Sequence, residues 1–316
     1  MLSNPEYLKS VLQKSEPYIY YVHKKIKQND LPWELTLLPV IESAYDPLAY
    51  SQSHASGLWQ FIPSTAKYLG LERNLWFDAR RDVVESTSVA IDYLKYLNQR
   101  FSNDWLLALA AYNGGEGTLS KAIQKNKQNS KNTQFWELEL PTETENYVPK
   151  LLALAYVIKN KDKLGLALPL IPNNPVFEII ELNQQIEIST IIETAGIQYD
   201  TFTKFNPGYR RSVTPPNRTS NILLPAHAAE LFREFISLED TNNWLPFSEY
   251  QIERGDTLSR IAADHDSSIA LIKARNNLTS EVLKIGKILQ IPHNRGEPVT
   301  LSLIHISEPT RQAERA

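Results

Sequence analysis

The sequence predicts a mainly α-helical N-terminal domain followed by two small strand–helix–helix–strand modules. Three observations carry that expectation. Apolar residues recur every three or four positions from residue 1 to about 160, the composition turns Pro- and Leu-rich around Leu164–Pro175, and a pattern of roughly fifty residues then occurs twice.

Helical spacing runs through Tyr7–His23, Val84–Phe101, Asp104–Asn113 and Tyr147–Ile158, and Trp33–Ser43 reads as one further apolar helix. Trp59, Trp76, Trp105 and Trp136 lie in this stretch, most of them expected in the core, with an aromatic groove for a flat sugar face as the other use of such rings. After the linker, Val176–Ile188 has the β-branched and apolar composition of a strand. A short helix at Ile188–Ala195, a second ending at Phe205–Gly208, and a strand Asn221–Leu224 closed by Pro225 follow. Tyr250–Pro292 repeats that order. Tyr250–Glu253 reads as a strand, Gly255 turns the chain, and Asp256 is the expected cap of a helix through Leu258, Ile261 and Ala262. Ser267 or Ser268 opens the next helix, whose apolar side is Ile269, Ile272 and Leu278. Gly286 precedes the strand Ile288–Ile291, which Pro292 stops.

Composition narrows the function classes. A chain of 316 residues, 42% apolar and 22% charged, is built to fold into several domains rather than stay disordered. Thirty-three basic against 36 acidic residues leave a net charge of −3, so no broad attraction to nucleic acid or anionic lipid is expected, and nucleic acid is not a predicted partner. The absence of cysteine excludes disulfides, thiolate nucleophiles and Cys-based metal sites. His23, His54, His227, His265, His293 and His305 show no ligand spacing, so neither a metal nor a cofactor is expected. Gly114–Gly117 lacks a following Lys-Ser/Thr and reads as a helix stop and groove loop, and Lys121–Lys131 as a solvated loop. Apolar runs such as Trp105–Tyr112 are too short to cross a bilayer, and Met1–Gln28 has no signal-peptide core.

The candidate chemistry starts at Glu42, which follows Leu37, Leu38, Val40 and Ile41. Buried there, its pKa would rise and it would keep the proton a general acid needs; an exposed helix-end carboxylate is the plainer reading of the segment alone. Its context is specific. Glu42-Ser43, Ala55–Pro63, Ala111–Gly117 and Glu143–Val148 resemble, in order, the motifs of the soluble lytic transglycosylase domain, in wording nearest the membrane-bound lytic murein transglycosylase D branch, from about Asn4 to Lys159. The resemblance implies a goose-type lysozyme-like helical fold. It also implies cleavage of the β-1,4 bond between N-acetylmuramic acid and N-acetylglucosamine in peptidoglycan, leaving a 1,6-anhydro end. Glu42 would be the single catalytic acid/base, and Ser51, Gln60, Tyr112, Asn113 and Tyr147 would bind substrate. His54 is left out of that mechanism, as a lone histidine in a polar loop. An ordinary two-carboxylate mechanism would need a partner about 5–5.5 Å or roughly 6.5–9.5 Å away, and Asp46, Glu116, Glu143 and Glu145 are the candidates.

Tyr250–Ala262, Arg275–Leu278 and Ile285–Pro292 resemble a LysM module. The resemblance implies a βααβ fold that binds N-acetylglucosamine-containing glycan through Gly255, Asp256, Thr257 and Leu258, residues that capping and turning alone would also explain. Val176–Pro225 resembles a degenerate relative without the Gly-Asp-Thr-Leu turn.

The expected organisation is therefore a catalytic domain over 1–163, a linker over 164–175, a degenerate module over 176–228, a linker over 229–248, a LysM module over 249–293 and a tail over 294–316. Within that tail, Leu301–Arg311 resembles a translated sequencing adapter. The expected partner is the peptidoglycan glycan strand, at the bacterial envelope on the periplasmic side of the outer membrane, with membrane contact only through an anchor not in this chain. A hydrolytic muramidase or chitinase on the same fold, and a noncatalytic peptidoglycan-binding scaffold, are the alternatives.

Overall fold

The computed structural model describes residues 5–215, 218–238, 247–265, 267–276 and 278–292. The expected tail over 294–316, with His293 and His305, lies outside the described residues.

The N-terminal part is helical: α1 (Pro5–Gln28), a 3-10 turn Trp33–Leu37 running into α2 (Leu38–Ser43), α3 (Pro63–Tyr68), α4 (Val83–Arg100), α5 (Trp105–Gly114), α6 (Glu116–Gln128) and α7 (Thr142–Lys159). The single helix expected over Trp33–Ser43 is thus divided. Pro39 has no N–H to extend a helix backwards, so it sits in the first turn of α2, where none is needed. Asp82 and Asp104 cap α4 and α5 by accepting from Glu85 N, and from Leu106 N and Leu107 N, respectively. The lysine-rich stretch expected as a loop is mostly helix, because Leu119 is buried while the lysines of α6 line its outer side.

α5 is the most apolar helix and packs against α4, α6 and α7. Around it Leu94, Leu97, Ala108, Ala110, Val148 and Leu151 are fully or almost fully buried, as is Trp59, whose Nε1 donates to Thr87 Oγ1 at 3.0 Å.

Two small modules follow. The first has β1 (Glu178–Leu182), α8 (Ile188–Thr194), α9 (Tyr199–Phe205) and β2 (Ser220–Leu224), with β1 and β2 antiparallel and Ile180 opposite Ile222. The second has β3 (Phe247–Gln251), α11 (Leu258–Asp264), α12 (Ile269–Arg275) and β4 (Ile288–Pro292), again antiparallel, with Tyr250 opposite Leu289. Helix α10 (Ala226–Leu238) continues past the expected end of the first module at residue 228. Its buried Ala228, Ala229 and Phe232 pack on β1, β2 and α8, so residues 229–238 form a helix of the module rather than a linker.

The repeat extends to single hydrogen bonds. Asn206 Nδ2 donates to Phe202 O and Leu223 O while its Oδ1 accepts from Leu223 N. Asn276 makes the same set with Ile272 O, Gln290 O and Gln290 N. Each asparagine thereby ties the end of its module's second helix to the last strand.

Candidate active site

Glu42 is the penultimate residue of α2, a one-and-a-half-turn helix whose Leu38, Pro39 and Val40 face the core. Ser43 fixes that helix end by donating from Oγ to Pro39 O and Leu58 O, at 3.1 and 3.0 Å. The chain leaves through Ala44 and Tyr45, both with positive φ, and the Tyr45 hydroxyl donates to Thr36 O. Glu42 is thus held at the floor of a groove of about 440 Å³.

All six predicted catalytic-domain site residues line that groove: Glu42, Ser51, Gln60, Tyr112, Asn113 and Tyr147, drawn from α2, the 51–61 loop, α5 and α7. The Tyr147 hydroxyl donates to Glu42 Oε1. Burial nevertheless dominates and pushes the Glu42 pKa up to about 7; the Tyr147 hydrogen bond opposes the shift, and the negative charge of Glu143 adds to it. The acid expected to be perturbed therefore keeps its proton near neutrality.

The other predicted residues have narrower geometry. Tyr112 donates its hydroxyl to Trp59 O at 2.8 Å, so the ring forms a wall while the hydroxyl supports the loop behind it. Gln60, with φ 49, spends its Nε2 on Ala49 O and Gly57 O. Ser51 Oγ accepts from Ala55 N and pairs with Ser53 Oγ. Asn113 joins two helices, accepting from Thr144 Oγ1 at 2.8 Å and approaching Glu143 Oε1 from Nδ2 at 3.4 Å.

The four candidate second carboxylates separate clearly. Asp46 accepts from Leu48 N in a turn and lines a different cleft, beside Tyr18 and Lys204. Glu116 is held by Arg100 at 2.9 Å and by the Tyr96 hydroxyl, and Glu145 accepts from Leu140 N. Only Glu143 shares the groove with Glu42 among the described residues. His54 meets the Tyr50 hydroxyl at 2.7 Å and is not among the lining residues. Sequence reasoning missed Tyr93 and Lys150, which also line the groove. Lys150 is three residues beyond Tyr147 on α7, so helical spacing from the motif tyrosine could have found it. Tyr93 has no such signal, because it arrives from α4 to rest against Tyr112, with ring centroids 5.9 Å apart.

In the second module Gly255 adopts φ 97, and Thr257, not Asp256, caps α11 by accepting from Arg260 N. The Asp256 carboxylate instead accepts from Glu253 N and the Tyr250 hydroxyl, which holds its pKa below the usual carboxylate value. Leu258, expected among the glycan-binding residues, is 2% exposed and packs with Ile261, Leu289 and Ile291; its side chain serves the module's core.

A helical domain with a buried, proton-holding acid in an aromatic- and amide-lined groove, followed by two βααβ modules, has a lysozyme-like helical architecture with small appended modules. Family models match in the same order: transglycosylase SLT domain over residues 20–135, the LysM-like domain of lytic transglycosylase MltD over 176–239, and LysM domain over 250–292. The chain carries a transglycosylase SLT domain joined to two LysM-type modules. It is 38% identical over 300 residues to membrane-bound lytic murein transglycosylase D of Escherichia coli K12, an alignment covering 92% of this chain and 66% of that one. It thus spans just under two thirds of that relative's length. It is also 37% identical over 170 residues to a protein of Alteromonas sp. described in connection with tributyltin chloride resistance, covering 54% of this chain and 80% of that one. Among solved structures, the 70-kDa soluble lytic transglycosylase of E. coli is similar at 25% identity with a TM-score of 0.35, over 46% of this chain and 25% of that one.

Proposed function

We propose that the groove cleaves the β-1,4 bond between N-acetylmuramic acid and N-acetylglucosamine in peptidoglycan, with Glu42 as its single acid/base and a 1,6-anhydro end as product. What supports this is the Glu42 carboxyl, buried enough to keep its proton to about pH 7 and aimed into a groove that also holds Tyr147 and Asn113. Glu42 gives its proton to the glycosidic oxygen as the bond from that oxygen to C1 breaks. The resulting carboxylate takes the proton of the muramic acid C6 hydroxyl as O6 bonds to C1, so no water is added and Glu42 regains its proton. Positive charge at C1 is relieved by the substrate's own N-acetyl group, as in substrate-assisted glycosidases. Ser51, Gln60, Tyr112, Asn113 and Tyr147 shape the groove for the sugars. The second module holds the same polymer through the turn at Gly255, Asp256 and Thr257, which raises the concentration of groove near the glycan. The site of action is the bacterial envelope, as expected for relatives described as membrane-bound; among the described residues no helix is long and apolar enough to cross a membrane.

Glu143 favours one second reading. A second groove carboxylate would let the same site activate water and hydrolyse the bond. Digestion of purified peptidoglycan followed by mass spectrometry separates the two. Anhydro muropeptides, one water lighter than hydrolytic products and absent with Glu42→Gln, are the expected result. Reducing-end products would establish hydrolysis instead, and wild-type turnover by Glu42→Gln would remove Glu42 from the chemistry.

A further inference from the structure

The first module, β1 to α10, packs against the helical domain and shares one continuous core with it. It touches α1, where the Tyr18 hydroxyl donates to Lys204 O at 2.7 Å and Tyr21 meets Phe177, and it also grips residues 72–85. Phe77 and Tyr209 form an antiparallel bridge, Asp78 N donates to Gly208 O at 2.9 Å, and Arg210 N donates to Trp76 O at 2.8 Å. The Arg218 guanidinium lies 4.3 Å from the centre of the Phe77 ring and binds the carboxylates of both Glu72 and Glu85. At Gly208 a Cβ would stand 2.8 Å from the same ring, so only glycine allows this approach.

The gripped segment then turns inward. Asp78 receives two hydrogen bonds from the Arg80 guanidinium and one from its backbone N–H; that side chain is 1% exposed, and Arg80 Nη1 donates onward to His54 O at 2.7 Å and Phe61 O at 3.3 Å. Those carbonyls belong to the 51–61 loop, which carries Ser51, Trp59 and Gln60 into the groove. Gly57 of that loop, with φ 83, lies where a Cβ would be 1.8 Å from Arg80 O, so loop and segment are in direct contact. A buried, fully engaged guanidinium is therefore the link between the module's docking surface and the groove wall.

The second module shows what this loop does when it is not docked. Asn206 and Asn276 make the same three-bond clamp, so the loops that follow them, of different length, join the same two elements in each module. After Asn276, Val282 and Ile285 are 78% and 68% exposed. After Asn206, Tyr209 and Val213 are buried. We propose that the first module is an intramolecular brace, in which the loop from Asn206 to Ser220 is committed to the helical domain and sets the groove wall through Asp78 and Arg80 instead of binding glycan on its own.

The test is amide hydrogen exchange on the full chain, read by mass spectrometry, for wild type, Gly208→Ala, Arg218→Ala and Arg218→Lys. Both Gly208→Ala and Arg218→Ala are expected to speed exchange roughly tenfold in 72–82 and also in 51–61, leaving α11 unchanged. Arg218→Lys, which keeps the charge, is expected to restore part of the protection. On the proposed groove chemistry, kcat falls roughly ten- to hundredfold in the two disruptive variants while retention on insoluble peptidoglycan persists. The exchange result does not depend on that chemistry, so failure of the brace and failure of the functional reading are distinguishable. Faster exchange confined to 72–82, with 51–61 and kcat at wild-type values, would overturn the brace. A further measurement needs no variant: tetra-N-acetylchitotetraose added to wild type is expected to leave exchange in the Asn206–Ser220 loop unchanged, and protection there would make that loop a glycan-binding surface and end the proposal.

Discussion

At Glu42 two neighbours pull in opposite directions. Tyr147 donates to the carboxylate and favours ionisation, whereas Glu143 places a like charge nearby and opposes it, both against a larger effect of burial. Tyr147→Phe should therefore move the alkaline limb of the pH–kcat profile upward, and Glu143→Gln should move it downward. Initial rates on peptidoglycan across pH 5–9 check both directions, and two shifts of the same sign would contradict the assignment. Burial also has a cost in stability. Below about pH 4.5 Glu42 is protonated in the folded and unfolded chain alike, and between 4.5 and about 7 only the folded chain keeps the proton. Folding therefore loses stability as pH rises through that window and is level above it. Glu42→Gln removes the titration, so its stability relative to wild type should grow from pH 4.5 to 7, by about 3 kcal/mol at most. Urea unfolding at both pH values measures this.

At the scale of elements, helix ends and clamps decide more than helix propensity does. Asp104 stands at the start of the helical spacing that the sequence shows, and it caps α5 because an acceptor lies directly before an apolar run. Asp256 and Thr257 are adjacent acceptors in the same kind of position. The cap falls to Thr257, because the Tyr250 hydroxyl across the turn already engages Asp256. Nothing in the local sequence distinguishes the two. The asparagine clamps were also hidden, since their partners lie on a strand fourteen to seventeen residues away. Asn206→Ala should cost about 2–3 kcal/mol, because it removes the partner of the buried Leu223 N–H and of Leu223 O, while Phe202 O keeps the backbone N–H of residue 206. Asn206→Asp, which keeps the acceptor for Leu223 N but turns a buried carboxylate toward Phe202 O and Leu223 O, should cost at least as much at pH 7 in the same urea titration.

Across the whole molecule the units that fold together are not those the composition suggests. One buried cluster runs from Leu8 in α1 to Phe232 in α10 and includes the first module, while Ile252, Leu258, Ile272, Leu289 and Ile291 form a separate one. Calorimetry should therefore show two transitions, a large one for residues 5–238 and a small one for 247–292. Gly208→Ala should lower the first midpoint and leave the second in place. Three separate transitions would mean that the contacts of Phe77 and Asp78 with the first module contribute little to cohesion.

The sequence by itself determined the order of elements and the repeated βααβ pattern, because periodicity, turn residues and capping acceptors act over a few positions; the groove residues came only through the resemblance of its motifs to a family. It left open which carboxylate joins Glu42: Asp46, Glu116, Glu143 and Glu145 look alike along the chain, and only packing turns Glu143 into the groove while Arg100 and local backbone engage the others. It also drew a boundary at residue 228 that the structure erases, since the apolar face of α10 has meaning only once β1 and β2 are there to receive it. The proton on Glu42 belongs to the tertiary structure for the same reason. Its pKa is set by water excluded and charge brought near, and both come from residues up to 105 positions away along the chain.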